Sequence, residues 1–320
     1  MSFGVVIIGL GQIGMTSDIG LDPEQYIWSH ARAFFAHPAF SLLAGVDPSP
    51  TSRAAFEEAY RRPSYATAAE ALSAHRPDIV VIAVPTVNHL QALQETLAAS
   101  RPMAVLCEKP LSYRFDEAVA MTDTCRQANV RLFVNYVRRA DPAVREIKQR
   151  LNSGQIAQPL KGVVWYSKGL FNNGSHFFDL MQYWLGEMRT YEIVNSGRLL
   201  GNDPEPDFMA VFGGGQIQFL SAREEDYSHY TIELVSPSGR LRYDQGGSKV
   251  VWQSAIASPE SPAYKVLDSA EDEIRNDLNR AQWNIADQMA NALCGNKSDI
   301  CSGDEALSTI QHLTSIKDAL

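Results

Sequence analysis

Cysteine is scarce in this chain, with four among 320 residues. Cys107, Cys125, Cys294 and Cys301 stand apart, without a C-x-x-C pair, which excludes the spacings of a zinc ribbon and of a disulfide framework. Reduced thiols, most of them buried, are expected. Basic residues are also in deficit, 28 Lys and Arg against 37 Asp and Glu, for a formal net charge of -9. Such a surface repels phosphate at long range and no lysine- or arginine-rich run offsets it, so neither nucleic acid nor a membrane surface is an expected partner. Long apolar runs are missing too. The opening "MSFGVVIIGL" has no basic leader and no small-residue cleavage site, and no later stretch reaches membrane-spanning length. A cytoplasmic protein is expected, which makes the sequons at Asn173 and Asn296 coincidental. There is no internal repeat and no low-complexity linker.

The length suggests two domains, each able to bury a core without disulfides or metals. Over residues 1–136, short apolar runs alternate with helical patterns, the signature of a parallel sheet covered on both faces. The runs are "GVVIIG" (4–9), "SLLAGVD" (41–47), "DIVVIAV" (78–84), "MAVLCE" (103–108) and "RLFVNY" (131–136). Helices are predicted around 51–60, 67–75, 87–99 and 114–128, the last with Ala118, Met121 and Cys125 on one face. Past a further helix near 141–153 the texture changes. "QIQFLSA" and "YTIELVS" alternate apolar and polar residues as half-exposed antiparallel strands do, with turns at "GGG" (213–215) and "SPSG" (236–239). Helices near 278–294 and 303–319 close the chain, the second capped by Ser302. The fold class predicted is therefore α/β: a Rossmann dinucleotide-binding domain (1–136), then an α+β domain (137–320) with a large, mostly antiparallel open sheet.

"GLGQIG" places Gly9, Gly11 and Gly14 directly after the first strand. Glycines there let the backbone turn tightly and approach a pyrophosphate, with the amides of the loop, including Gln12 and Ile13, as donors. "SLLAGVD" ends in Asp47, an acceptor for the ribose hydroxyls of adenosine. A carboxylate there repels a 2'-phosphate, which favours NAD over NADP. The distance to Asp47 exceeds the roughly 20 residues this fingerprint expects. "MTSDIGLDPEQYIWS" (15–29) reads as an insertion delaying the helix until "HARAFFAH", either a surface loop or a lid bringing Tyr26 or Trp28 over the site.

"VLCEKPLS" (105–112) runs from a buried strand straight into an acid, a base and a proline. Taken with "GLGQIG", "VPTVNH" (84–89), "NYVRRADP" (135–142), "NNGSHFFD" (172–179) and "SGDEALSTIQHL", it resembles the glucose-fructose oxidoreductase and inositol dehydrogenase family, Gfo/Idh/MocA. The resemblance covers nearly the whole chain. It implies hydride transfer between a nicotinamide and a secondary alcohol carbon of a sugar, cyclitol or nucleotide sugar. It also implies that Lys109 and His176 flank the reacting hydroxyl, that Pro85, Thr86, Asn88 and His89 line the cofactor cleft, and that the Lys109–Pro110 bond is cis.

Chemistry agrees with the resemblance, because taking a hydride from an alcohol carbon also requires taking the hydroxyl proton. A cationic oxidised nicotinamide about 6 Å from Lys109, at an effective dielectric near 20, would lower the lysine pKa by roughly two units. Glu108 is expected to point toward the nicotinamide ribose or the backbone. Asp179 pairs with His176 on one helix, and Asn172 stands where many relatives carry aspartate. An amide orients a hydroxyl but cannot take a proton, so any relay rests on Lys109 and His176. Tyr136, Arg139, Tyr166 and Lys168 are further candidates for substrate binding, with a domain-bridging salt bridge the alternative for Arg138 and Arg139, and a solvated strand end the alternative for Lys168. No metal is expected, since nothing beyond Asp179 stands at ligand spacing from His176. A redox-neutral NAD-dependent glycosidase and a cofactor-sensing regulator are the competing functions. An open sheet with one apolar face must be covered, so a homodimer or homotetramer is expected.

Overall fold

The computed structural model describes residues 2–320. The chain forms two compact units, the first running to Ala140 and including Asn279–Gln311, the second comprising Asp141–Leu278 and His312–Leu320. In the first unit the chain runs β1 (Phe3–Ile8), α1 (His30–Ala36), β2 (Phe40–Val46), α2 (Pro50–Tyr60), β3 (Ser64–Tyr65), α3 (Ala68–His75), β4 (Ile79–Ile82), α4 (His89–Ala99), β5 (Ala104–Cys107), α5 (Phe115–Ala128) and β6 (Arg131–Val134). Six strands pair in parallel in the order β3-β2-β1-β4-β5-β6. This is the doubly wound dinucleotide-binding order, whose direction reverses between β1 and β4. Its strands are buried on both faces, as unbroken Val/Ile runs require.

Helix starts follow from local chemistry. Ser49 accepts from Ser52 N–H and Pro50 opens α2, while Thr67 and Glu70 form a reciprocal capping box on α3. Each such cap contributes about 1 kcal/mol.

The second unit contains α6 (Pro142–Asn152), β7 (Leu160–Tyr166), α7 (Ser175–Leu185), β8 (Met188–Leu200), β9 (Asp203–Phe212), β10 (Gly215–Ser221), β11 (Thr231–Ser236), β12 (Gly239–Asp244), β13 (Lys249–Ala257), β14 (Lys265–Leu267) and β15 (Asp272–Glu273). These strands make a nine-stranded sheet, antiparallel except where β10 runs parallel to β7. Phe178, Phe208, Phe212 and Phe219 pack together beneath it. The edge strand β8 has no apolar alternation to reveal it, because most of its side chains are exposed.

The boundary differs from a single division at residue 136. After residue 278 the chain returns to the first unit as α8 (Ala281–Leu293), β16 (Cys301–Ser302) and the start of α9 (Gly303–Asp318). Two forces bring it back. Ile285, Ala286 and Met289 of α8 join the core that contains Val5, Phe34 and Ile79. β16 pairs antiparallel with β6 and covers the exposed edge of the sheet. Ser302 and Glu305 then cap α9 reciprocally, as the sequence predicts for Ser302.

Candidate active site

The site is built first from what three glycines permit. Gly9 has φ +99, and a Cβ there would lie 2.6 Å from the Ala83 carbonyl, so the turn after β1 presses on the end of β4. At Gly14 a Cβ would lie 2.0 Å from Gly9 O, which holds the loop against the strand end. Gly11 differs: nothing lies within 4 Å of its Cβ position, leaving an open face of backbone. Turn, close packing and open approach are the three functions a pyrophosphate loop assigns to its glycines. Asp47, at the end of β2, accepts from Leu10 N–H at 2.9 Å and from Ser49 N–H at 2.9 Å, which ties it to that loop.

The inserted segment explains the unusual distance between Gly14 and Asp47. His30 N–H donates to Ile13 O at 3.0 Å and Ala31 N–H to Gly14 O at 2.9 Å, so the helical ladder resumes across the insertion. About 13 residues are looped out of what would otherwise be one helix with a four-residue hydrogen-bond spacing. Removing them from the count restores the expected separation of about 20. The loop is anchored by Asp18, fully buried, which accepts from Trp28 N–H, Ser29 N–H and Ser29 Oγ, each at 2.8 Å. Ile27 is buried and Tyr26 stacks edge-on with Trp28.

At the mouth of β4, Pro85 and Asn88 are exposed and Thr86 is half-buried. His89 is buried instead, with Nδ1 3.2 Å from Leu111 O and Nε2 3.0 Å from Val84 O. Burial lowers its pKa, although both carbonyls oppose that. Its ring fastens the loop after β5 to the end of β4.

β5 delivers Glu108 and Lys109, and the Lys109–Pro110 bond is cis. Lys109 is half-buried at the rim. Glu108 turns into the protein: its Oε1 lies 2.7 Å from His30 Nε2 and accepts from Asn135 Nδ2 at 2.6 Å, while Oε2 accepts from Lys109 N–H at 3.3 Å. Asn135 Nδ2 also donates to Gln282 Oε1 at 3.3 Å. Burial alone would push the Glu108 carboxyl up, but the hydrogen bond and field of His30, the Asn135 amide and the Lys109 charge outweigh it and hold it below the ordinary range. His30, Asn135 and Gln282 are the residues that sequence reasoning missed. Asn135 stood in a quoted motif, but nothing in a one-dimensional pattern says that α1, β6 and α8 converge on the end of β5.

Arg139 is buried and donates to Glu305 Oε1 at 2.6 Å, within the first unit. This ties its guanidinium to the start of α9, the ion pair that the sequence offers as the alternative to substrate binding, here within one unit. Tyr136 is also buried.

In the second unit a π-helical turn, Gly169–Gly174, leads into α7. Such turns recur at functional sites. Asp203 Oδ1 accepts from Phe171 N–H and Oδ2 from Asn172 N–H, both at 2.9 Å, and Glu205 Oε1 accepts from Gly169 N–H at 3.0 Å. Glu205, almost fully buried, also accepts from Arg198 Nε at 2.8 Å. A Cβ on Gly169, whose φ is +84, would lie 2.2 Å from the Asp203 carboxylate. The turn that carries Asn172 is thus clamped by two carboxylates from β9. Three residues apart on one face of α7, His176 and Asp179 are both buried. Tyr166 is fully buried and donates to Pro206 O at 2.6 Å, which removes it from the substrate candidates. Lys168 is exposed, in left-handed backbone. Asn173 donates to Tyr230 Oη at 2.7 Å.

Among the described residues no group of three His, Cys, Asp or Glu side chains stands ready to hold a metal, and no helix is long and apolar enough to cross a membrane. The four cysteines are free thiols, with only Cys294 exposed.

Comparison with known proteins follows the same lines. Residues 3–136 match the family model of the oxidoreductase family, NAD-binding Rossmann fold, GFO_IDH_MocA. The oxidoreductase YrbE of Bacillus subtilis (strain 168) is 27% identical over 264 residues, 73% of each chain. The scyllo-inositol 2-dehydrogenase (NAD(+)) of the same organism is 30% identical over 150 residues, 42% of each chain. A solved oxidoreductase from Agrobacterium radiobacter, in complex with NAD+, L-tartaric acid and magnesium, superposes with a TM-score of 0.76 at 18% identity, covering 100% of this chain and 97% of that one. Through its glycine loop, its strand order and these matches, the chain's first 136 residues are similar to the NAD-binding Rossmann domain of the Gfo/Idh/MocA oxidoreductases.

Proposed function

We propose that this protein is an NAD-dependent dehydrogenase that oxidises a secondary alcohol of a cyclitol, sugar or nucleotide sugar in the cytoplasm. The observation that carries the reading is the open backbone at Gly11, flanked by two glycines that admit no side chain, with Lys109 on the rim of the same sheet. Gly9, Gly11, Gln12, Ile13 and Gly14 would hold the pyrophosphate. Asp47, already tied to the loop, keeps lone pairs for ribose hydroxyls and disfavours a 2'-phosphate, which supports NAD over NADP. When bound, NAD supplies the acceptor for the hydride that leaves the alcohol carbon.

The chain's own contribution is proton chemistry and orientation. Lys109, as the neutral amine, takes the hydroxyl proton, and His176 is the second side chain able to hold or move it. Asn172 donates or accepts a hydrogen bond but takes no proton. The two carboxylates behind the Gly169–Gly174 turn fix the backbone from which that side chain projects. Exposed apolar side chains such as Val194 and Leu199 on β8 support a homodimer or homotetramer formed through the second unit, and light scattering that finds only monomer at micromolar concentration contradicts it.

Incubation with NAD and scyllo-inositol, myo-inositol or a panel of aldoses, followed by NADH absorbance, tests the function. Turnover is expected with at least one of them, and lost in Lys109→Met and His176→Ala. Full turnover in both variants overturns the assigned roles.

A further inference from the structure

The buried polar group beneath Lys109 is larger than a structural ion pair needs to be. Four side chains meet there from four separate elements: His30 from the start of α1, Glu108 after β5, Asn135 after β6 and Gln282 from α8. All are nearly inaccessible, yet His30 Nδ1 and Asn135 Oδ1 have no hydrogen-bond partner. Replacing such a group by packed apolar side chains costs little stability and often adds some. A carboxylate retained there calls for a role beyond holding the fold.

Its position supplies one. The backbone ladder continues one residue past the strands, with Glu108 N–H donating to Ile82 O and Asn135 N–H to Cys107 O, so both side chains are rigidly placed at the carboxyl edge of the sheet. Ligands of this fold lie along that edge. With Gly9–Gly14 after β1 facing the pyrophosphate and Asp47 after β2 facing the adenosine side, the nicotinamide half of a bound dinucleotide would extend toward β4 and β5, on the Glu108 side. On the NAD-binding reading above, we propose that the Glu108 carboxylate, seated by His30 and Asn135, is a fixed charge that makes the site favour oxidised over reduced nicotinamide. The oxidised ring is cationic and the reduced ring neutral, so a nearby anion stabilises only the former. It also offsets Lys109 whenever that side chain is protonated, since an ammonium one residue away acts in the opposite sense. A unit charge two strand spacings away, about 10 Å, in an effective dielectric of about 20, changes the relative affinity roughly tenfold.

Dissociation constants for NAD+ and NADH, measured separately by calorimetry and NADH fluorescence, test this without any substrate. In Glu108→Gln the ratio Kd(NAD+)/Kd(NADH) should rise about tenfold, and in Glu108→Asp, which keeps the charge, it should stay within about threefold of wild type. A purely structural role would weaken both nucleotides alike and leave the ratio where it was. An unchanged ratio in Glu108→Gln with both nucleotides still bound overturns the inference, as does an equal shift in Glu108→Asp. If Glu108→Gln does not fold, Asn135→Leu decides, because loss of the 2.6 Å donor unseats the carboxylate while keeping its charge, and the ratio should move by about threefold. No binding of either nucleotide to the wild-type protein refutes the NAD reading itself, a separate outcome from a fixed ratio.

Discussion

Two alanine substitutions, three residues apart in one loop, should fail in different ways. At Gly14 a methyl group would sit 2.0 Å from Gly9 O, and its three nearest atoms are backbone of Gly9 and Leu10, just past β1, where Gly9 N–H donates to Val46 O. Reaching an ordinary contact requires a displacement of about 1.4 Å, and overpacking of this kind costs about 1–3 kcal/mol, here toward the upper end because no flexible side chain can yield. At Gly11 the same methyl meets nothing within 4 Å, and the backbone is not in the left-handed region, so the native conformation suits alanine. Gly11→Ala should keep its stability or gain up to about 1 kcal/mol through the unfolded chain. It should nevertheless lose nucleotide affinity, because the methyl occupies the face a pyrophosphate must approach. We expect the NADH Kd to rise at least about tenfold, or about 1.4 kcal/mol. Urea denaturation and NADH fluorescence titration, run on both variants, separate stability from binding. Gly14→Ala as stable as wild type, or Gly11→Ala binding NADH normally, would refute the assignment of glycine roles.

Lys109→Met should lower turnover by about 10²–10⁴-fold, the usual contribution of a positioned general base, while NADH still binds; an intact rate on an identified substrate excludes the lysine. Gly169→Ala puts a Cβ 2.2 Å from the Asp203 carboxylate at a φ of +84, and should cost about 2 kcal/mol or more in thermal or urea unfolding. The pH dependence of stability has a defined sign at Glu108. Its folded pKa lies below the ordinary carboxylate value, so its contribution is present at neutral pH and is lost as pH falls through the ordinary range toward the folded value. Glu108→Gln should therefore flatten the acid limb of the stability profile, and an unchanged limb contradicts the assignment. Deleting residues 16–28 joins Met15 to Ser29 and keeps the His30–Ile13 and Ala31–Gly14 hydrogen bonds in helical register. The shortened protein should fold with a lower Tm, reflecting the loss of buried Ile27 and Asp18. A protein that does not fold would show that the loop is part of the core.

The insertion shows how a signal in the chain becomes readable only in three dimensions. Asp47 sits too far from the glycine loop by residue count, and "MTSDIGLDPEQYIWS" marks the reason, but only the hydrogen bonds from His30 and Ala31 back to Ile13 and Gly14 show the helix resuming across it. Likewise β8 escaped notice because an exposed edge strand need not alternate, whereas β1, β4 and β5 announce themselves as unbroken apolar runs. Asp203 and Glu205 were silent for a different reason: about 30 residues separate them from the turn they clamp, and hydrogen bonds to backbone leave no pattern in either segment.

By itself, the order of residues determined the alternation of strands and helices in the first 136 positions, the glycine loop, the acid after β2 and the Glu108–Lys109 pair at a strand end. Each of these depends on local backbone geometry or on a periodicity within one element. Tertiary structure alone decided that Glu108 faces His30 and Asn135, that Arg139 meets Glu305, that His89 fastens a loop, and that residues 279–311 return to the first unit. The physical reason is common to the first three, while apolar burial of α8 and the pairing of β16 with β6 return the last. Burial forces each polar group to find a partner, and which partner it finds depends on the elements that packing brings beside it, from positions the linear chain keeps far apart.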